Sequence, residues 1–453
     1  MKKFLLFISD IAVLFGSLLL TLYLRYGQTF SEKLDFHLVP FSLIFAVWLI
    51  IFYIANLYEP ATLRNSIYFY SSLLQSIVFA SAISVIFFYL VPLFNIAPKT
   101  NLAIFIAIFT GLEFGARFGF NRIFEKGFKK LVLIVGLNKQ SFELAQFIKN
   151  NPQFGYELKY VVDLTLEKPE DEEEFKKFGI IQGLNNLETQ IKNEKIDTII
   201  ISPEAYQNSE TINIFYKSLE QKISFFNLAS FYERLTGKVP LGAINQIWFL
   251  ENLSEGKKRG YELTKRMFDS VFAIIIGIIS LILYPLIALA IKTSSPGPIF
   301  YKQKRFGQSS KAFKIIKFRT MRKDAEKDTG AVWTTENDPR ITKVGNFLRK
   351  TRLDELPQVW NILKGEMSFV GPRAERPEFH DTLQKEVLFY EERYLIKPGL
   401  TGWAQINFHY GSSVKDAAEK LKYDLYYIKN RSLLLDLGIV LKTIRIALKQ
   451  DGR

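Results

Sequence analysis

Cysteine is absent from the 453 residues. That excludes a thiolate nucleophile, a thiolate zinc site and any structural disulfide, and it is compatible with a cytosol-facing enzyme. Acidic residues are in deficit, 45 against 59 Lys and Arg, for a formal charge of +14. Such an excess suits nucleic acid, or an anionic membrane surface with phosphate-bearing substrates. The chain has no helix-turn-helix, zinc-finger or aromatic RNA-binding motif, so no nucleic-acid partner is expected.

Charge is also missing locally. Phe4–Leu24 carries only Asp10, Leu38–Leu57 and Ile67–Val91 carry none, and Leu102–Phe120 carries only Glu113 and Arg117. The last two are spaced i,i+4 and can pair on one helix face. A bilayer core needs about 20 apolar residues per helix, so these segments predict a four-helix transmembrane bundle over 1–125. The first segment is too polar-flanked, and too soon followed by others, for a cleaved signal peptide. Lys2, Lys3, Arg64 and the group from Arg117 to Lys130 mark the cytoplasmic ends, so all that follows residue 125 should face the cytosol. Asp10 reads as a residue reaching the interface.

Leu131–Val135, a helical stretch to Lys149, Leu158–Val162, Asp197–Ser202 and Ile223–Leu228 alternate as strands and helices. They predict a Rossmann-like α/β domain over 130–250. Its first turn, Gly136-Leu137-Asn138-Lys139-Gln140-Ser141, lacks the second and third glycines of a dinucleotide loop. Those glycines let backbone approach a pyrophosphate, so a structural or regulatory module is expected. The acidic run Asp171–Glu174 reads as a solvated helix face.

Met267–Ile291 is long enough to span, but Lys257, Lys258, Arg259, Lys265 and Arg266 precede it and Lys292, Lys302, Lys304 and Arg305 follow it. A span would put one basic cluster on the wrong side. Pro285 lies inside the run and removes a helix hydrogen bond. The expectation is a re-entrant helix over 267–291, broken at Pro285, that enters the cytoplasmic leaflet and returns. Lys302–Lys323 then holds nine basic residues and no acidic one, fitted to a membrane surface or to phosphates.

Beyond it come Ser295-Pro296-Gly297-Pro298, Lys317-Phe318-Arg319-Thr320-Met321 and Arg352-Leu353-Asp354-Glu355-Leu356-Pro357-Gln358. Gly371-Pro372-Arg373-Ala374-Glu375-Arg376-Pro377 and Lys397-Pro398-Gly399-Leu400-Thr401-Gly402-Trp403 complete the series. In this order they resemble the bacterial sugar transferase family, the monotopic polyprenyl-phosphate glycosyl-1-phosphate transferases, over roughly 261–453. The preceding segments look like the long-form members that start exopolysaccharide, capsule or O-antigen assembly. The resemblance implies a multi-pass protein of the bacterial cytoplasmic (inner) membrane, with a mainly helical catalytic domain on the cytoplasmic face. It implies that a UDP-sugar gives hexose-1-phosphate to undecaprenyl phosphate and UMP is released. Membrane lipid and a possible homo-oligomer complete the expected partners.

Asp354 and Glu355, followed by Pro357, suit a first helical turn. Neighbours on an α-helix point about 100° apart, so distinct roles are more plausible than a symmetric acid pair. By resemblance, Asp354 is the nucleophile of a ping-pong reaction through an aspartyl-phosphosugar intermediate, and one or both acids help hold Mg²⁺. The rivals are direct attack in a ternary complex with Asp354 only a metal ligand, and a membrane nucleotide-sugar dehydratase or epimerase, which the broken loop disfavours. Lys317, Arg319, Arg352, Arg373 and Arg376 are the phosphate-binding candidates, with Arg319 and Arg373 foremost. Trp403 is a packing residue or an interface anchor, and His380 and His409 are packing or surface residues. The amphipathic pattern of Leu433–Leu448 with Lys442, Arg445 and Lys449 suits a helix in the interface plane.

Overall fold

The computed structural model describes residues 2–90, 99–127, 129–164, 178–184, 187–253, 258–325, 338–408, 411 and 413–448. Asp171–Glu174, Lys257, His409 and Lys449 therefore lie outside the described residues. The chain forms two compact units, Met1–Phe231 and Tyr232–Arg453.

In the first unit α1 (Lys2–Tyr26), α2 (Phe30–Ile54), α3 (Ile67–Leu90) and α4 (Lys99–Lys126) follow the uncharged segments. They are apolar on every side, which suits lipid rather than water. Among the described residues, four helical stretches are long and apolar enough to cross a membrane: Lys2–Ile54, Ile67–Leu90, Thr100–Lys126 and Arg259–Ser294. The first folds back at Gly27, whose φ of +53° lets the chain reverse. Phe15 then meets Phe45, and Trp48 meets Phe109 edge-on, inside an aromatic core.

Asp10 does not reach an interface. It is buried, and its Oδ2 accepts from Arg117 NH2 and Tyr58 OH, both at 2.6 Å. Arg117 also donates to Glu113 at 2.7 Å, the i,i+4 pair expected from sequence, and to the Leu57 carbonyl at 3.0 Å. One guanidinium thus ties α1, α4 and the turn after α2.

The same unit holds a five-stranded parallel sheet: β1 (Lys130–Val135), β2 (Tyr156–Asp163), β3 (Gly179–Gln182), β4 (Thr198–Ile201) and β5 (Ser224–Asn227), in the order β3-β2-β1-β4-β5. The central strands β1 and β4 are near-continuous Val, Ile and Leu because a parallel sheet is covered on both faces. β3 is absent from the sequence reading, being only four residues with a single buried side chain. After β1, Asn138 caps helix α5 (Lys139–Asn150) by accepting from Ser141 N at 2.8 Å, and Ser141 Oγ donates to Gly136 O at 2.7 Å. Side chains thus fill the turn where a dinucleotide loop would present bare backbone. Lys2 donates to Gln153 O at 2.7 Å and Arg64 Nε to Gln153 Oε1 at 3.1 Å, which joins bundle and sheet in one unit.

Residues 232–250, assigned from sequence to the α/β module, pack instead with the second unit. Val239 is in its core, and Trp403 Nε1 donates to Gly237 O at 2.9 Å while its ring stacks on Tyr426. Trp403 is therefore a packing residue. His380 is another, buried against Phe306 and Tyr394.

Arg259–Ser294 is one continuous 36-residue helix with Pro285 inside it, and the expected division at Pro285 is not seen in its secondary structure. Its buried residues Lys265, Asp269, Ala273, Ser280, Ile287 and Ile291 recur at steps of four and seven, a single stripe. That stripe lies on the second unit from end to end. Lys265 pairs with Asp436 at 2.8 Å, Ala273 packs with Val359 and Ile362, and Ile287 and Ile291 pack with Phe318 and Leu348. The opposite face exposes Phe272, Ile275, Ile279, Ile282 and Leu286.

The basic run after it is a hairpin, Phe300–Phe306 paired antiparallel with Ala312–Phe318. Mainly helical structure follows: Lys343–Lys350, a 3₁₀ segment Leu353–Gln358, Val359–Lys364, Pro377–Glu386, Val414–Asn430 and Leu433–Leu448, with a two-strand parallel pair, Ser368–Val370 and Gly399–Thr401. The terminal helix buries Ile439 and exposes Leu434, Leu437 and Ile444.

Candidate active site

Alternation along the hairpin puts Tyr301, Gln303, Arg305 and Lys317 on one face. That face, with the segments around Asp354 and Arg373, lines a cavity of about 330 Å³. Every site residue expected from sequence lines it, and so do Arg305, Arg322, Lys323, Arg340, Arg349 and Lys420. Among the described residues the walls carry eleven Lys and Arg against three carboxylates, Asp354, Glu355 and Glu375. Of these, Arg305, Arg322 and Lys323 belong to the basic run Lys302–Lys323 already apparent in the sequence, whereas Arg340, Arg349 and Lys420 gave no separate signal.

Asp354 and Glu355 sit on the 3₁₀ segment rather than on an α-turn. With about three residues per turn, neighbours diverge by about 120°. The segment follows Arg352, whose φ of +56° is left-handed and costs a non-glycine residue about 1–2 kcal/mol. The two carboxylates then meet different surroundings. Glu355 Oε1 takes Lys317 Nζ at 2.7 Å and Arg373 NH2 at 3.4 Å, while Arg352 NH1 lies 3.7 Å from Oε2. Burial opposes ionisation of Glu355, but those three cations hold it well below the usual carboxylate range. Asp354 is buried and has no hydrogen-bond or ion-pair partner among the described residues. Burial pushes its carboxyl up to about 6, only partly offset by Lys317. Lys317 itself is lowered by burial, with Glu355 working against the shift.

Three supports fix this geometry. Asn361, fully buried, accepts from Ile316 N at 3.1 Å and donates to Lys314 O at 2.8 Å, so a side chain takes the place of a neighbouring strand beside Lys317. Arg393 donates to the Arg373 carbonyl and to Asp424, each at 3.0 Å, and anchors the Arg373 loop. The third support comes from a residue expected to bind phosphate. Arg319 spends both terminal nitrogens on protein carbonyls: Pro296 O at 2.7 Å, Ser295 O at 2.7 Å and Ile291 O at 3.4 Å. It clamps the end of the 259–294 helix, and Gly297 is the residue that leaves room, since a Cβ there would stand 1.9 Å from Arg319 NH1. Arg376 lies over the Phe379 ring and 3.5 Å from the Glu378 carboxylate.

Among the described residues no three acidic or histidine side chains form a protein-only metal cage. Mg²⁺ needs no such cage, since it is held through one or two carboxylates with phosphate and water oxygens. The partner-free carboxylate of Asp354 fits that donor set. Glu355 fits it less well, because Lys317 and Arg373 already share one of its oxygens.

Residues 260–450 match the family model of the bacterial sugar transferases. The chain is 39% identical over 230 residues to a UDP-N-acetylgalactosamine-undecaprenyl-phosphate N-acetylgalactosaminephosphotransferase of Aeromonas hydrophila, which covers 51% of this chain and 53% of the relative. It is 31% identical over 332 residues to a UDP-glucose:undecaprenyl-phosphate glucose-1-phosphate transferase of Xanthomonas campestris, covering 69% and 65%. Against the exopolysaccharide production protein PSS of Rhizobium leguminosarum identity is 40%, with 92% of that shorter protein covered. The chain thus spans between half and two thirds of the first two relatives and nearly all of the third. A cation-lined cavity around Asp354 and Glu355, the ordered motifs and these likenesses agree: the chain belongs to the bacterial sugar transferase family.

Proposed function

We propose that this protein transfers hexose-1-phosphate from a UDP-sugar to undecaprenyl phosphate, releasing UMP and leaving undecaprenyl-diphospho-sugar, as the first membrane step of an exopolysaccharide, capsule or O-antigen. The observation that carries the reading is the asymmetry of the acids: one carboxylate locked by three cations, the other buried, partner-free and open to the cavity. Phosphoryl transfer is mostly positioning and neutralisation of phosphate charge, and eleven basic side chains around a buried carboxylate suit it. In the first step an Asp354 oxygen attacks the sugar-bearing phosphorus, the bridging P–O bond to the nucleotide phosphate breaks, and UMP leaves with the electron pair. In the second, an oxygen of the polyprenyl phosphate attacks the same phosphorus and returns Asp354 as a carboxylate. Lys317, Arg352 and Arg373 keep Glu355 ionised and leave positive charge facing the diphosphate. Bound Mg²⁺, held by Asp354 and phosphate oxygens, would add charge neutralisation there.

The 259–294 helix supports a monotopic reading, because both its ends are fixed to the same unit while its outer face is bare apolar surface. On that reading the continuous helix enters the cytoplasmic leaflet of the inner membrane without crossing it, with both ends on the cytoplasmic side. The β3-β2-β1-β4-β5 order supports a Rossmann-like module, and the filled Gly136–Ser141 turn favours a structural role for it. The deciding experiment is UMP release across a panel of UDP-sugars with and without undecaprenyl phosphate. UMP release and exchange without acceptor, with a sugar-phosphate adduct on Asp354, is expected. Full turnover by Asp354→Asn would favour direct attack in a ternary complex.

A further inference from the structure

A second, smaller cavity of about 40 Å³ lies beside the first turns of the 259–294 helix, with Lys265, Arg266, Asp269 and Lys397 in its walls. Its cations are not equally committed. Lys265 is neutralised by Asp436. Arg266 donates to the Ile362 and Leu363 carbonyls at 2.6 and 2.7 Å, which leaves three of its five N–H groups uncommitted and its charge without a carboxylate ion pair among the described residues. Lys397 is half-buried and makes no hydrogen bond or ion pair among the described residues, and the carboxylates of Asp269 and Glu262 in the same walls act on it only at longer range. The two cations converge: Arg266 NH2 and Lys397 Nζ lie 3.6 and 3.7 Å from one point, the position a Cβ on Gly365 would take. Two like charges so placed repel, and a side chain longer than glycine at 365 would stand between them.

The level of this pair is set by the helix. Arg266 is the last basic residue before the long exposed apolar face, with Met267, Phe268 and Val271 bare immediately beyond it and the one acid there, Asp269, buried. On the reading of this helix as membrane-inserted, the pair stands at the boundary of water and hydrocarbon, where lipid phosphates lie. We infer that Arg266 and Lys397 form a site for the phosphate of a membrane lipid, distinct from the catalytic cavity, which seats the enzyme at a fixed depth. The shared chemistry is a phosphate ester carried on an acyl or prenyl chain, so the source is either a phospholipid headgroup or the polyprenyl phosphate on its way to Asp354.

The test uses the full chain purified in detergent, with phosphatidylglycerol, diacylglycerol and a polyprenyl monophosphate added in turn and retention read by native mass spectrometry. Wild type should retain phosphatidylglycerol but not diacylglycerol. Lys397→Gln should weaken that retention about fivefold, the effect of one basic residue at a charged surface, and Lys397→Arg should restore it. Displacement of phosphatidylglycerol by the monophosphate would assign the site to the acceptor; failure to displace would assign it to the headgroup. Equal retention by wild type and Lys397→Gln, or of diacylglycerol and phosphatidylglycerol, would overturn the site. Vesicle flotation separates this from the insertion reading: wild type that does not float sinks the insertion, whereas Lys397→Gln that floats but loses the lipid leaves it standing.

Discussion

Asp354 and Glu355 are adjacent in the chain yet answer to opposite electrostatics. Glu355 is stabilised as an anion by Lys317, Arg373 and Arg352, whereas burial keeps Asp354 closer to neutrality. A carboxylate raised to about 6 must lose its proton before it can attack. The rate at saturating UDP-sugar should therefore fall as pH drops through 6 and level off above about 7, and a rate flat from pH 5 to 8 would remove Asp354 as nucleophile. Asp354→Asn keeps the shape and removes the attacking charge, so turnover should drop by at least about 10³-fold while the chain stays folded. Arg319 invites a contrasting prediction, since both its terminal nitrogens already donate to the carbonyls of Ile291, Ser295 and Pro296. Arg319→Gln should lower stability by about 2–3 kcal/mol and leave the KM for UDP-sugar within about twofold. A large rise in that KM with unchanged Tm would restore Arg319 to phosphate binding.

At the scale of the element, the motifs were legible where chemistry is written into consecutive residues, and illegible where a side chain serves a distant backbone. The Asp354–Glu355 segment, the Arg373 loop and the four uncharged helices could be placed from sequence because charge, proline and hydropathy act locally. Asn361 could not, because its role depends on the edge of a hairpin more than 40 residues earlier. Arg319 shows the same limit: an arginine in a basic motif looks alike whether it serves a phosphate or a helix end. Replacing Asn361 by Leu orphans the Ile316 N–H and Lys314 C=O in part-buried surroundings, and should cost about 2–4 kcal/mol in denaturant unfolding. Asp10 shows the reverse error, since an acid near a helix end looked like an interfacial residue. Its partner lies 107 positions away, on a fourth helix. Arg117→Leu would leave Asp10 and Glu113 buried without their cation, and about 3–5 kcal/mol should be lost. A Tm unchanged in the same detergent would mean the cluster contributes nothing.

For the whole molecule, the remaining question is how a 36-residue helix sits in a bilayer. At about 1.5 Å per residue it is about 54 Å long, well beyond the roughly 30 Å of hydrocarbon, so length alone would permit a span with both ends in water. Packing argues otherwise. A spanning helix holds its far end away from the domain at its near end, but here Lys265 is tied to Asp436 and the Ile291 carbonyl to Arg319, both partners belonging to one cation-rich unit. To cross, that unit would have to part from one of these ends and expose Ala273 and Ile287, which it now covers. The absence of native cysteine makes the alternative testable without background. Arg259→Cys and Lys302→Cys flank the helix on exposed positions, and each should react with a membrane-impermeant maleimide only in inside-out vesicles. Lys258 is a poorer choice for the first label, because its ammonium holds the Ile428 and Lys429 carbonyls at 2.8 and 2.7 Å. Labelling of the two sites from opposite faces would make the helix a true span, and would require the contacts at one of its ends to break in the membrane.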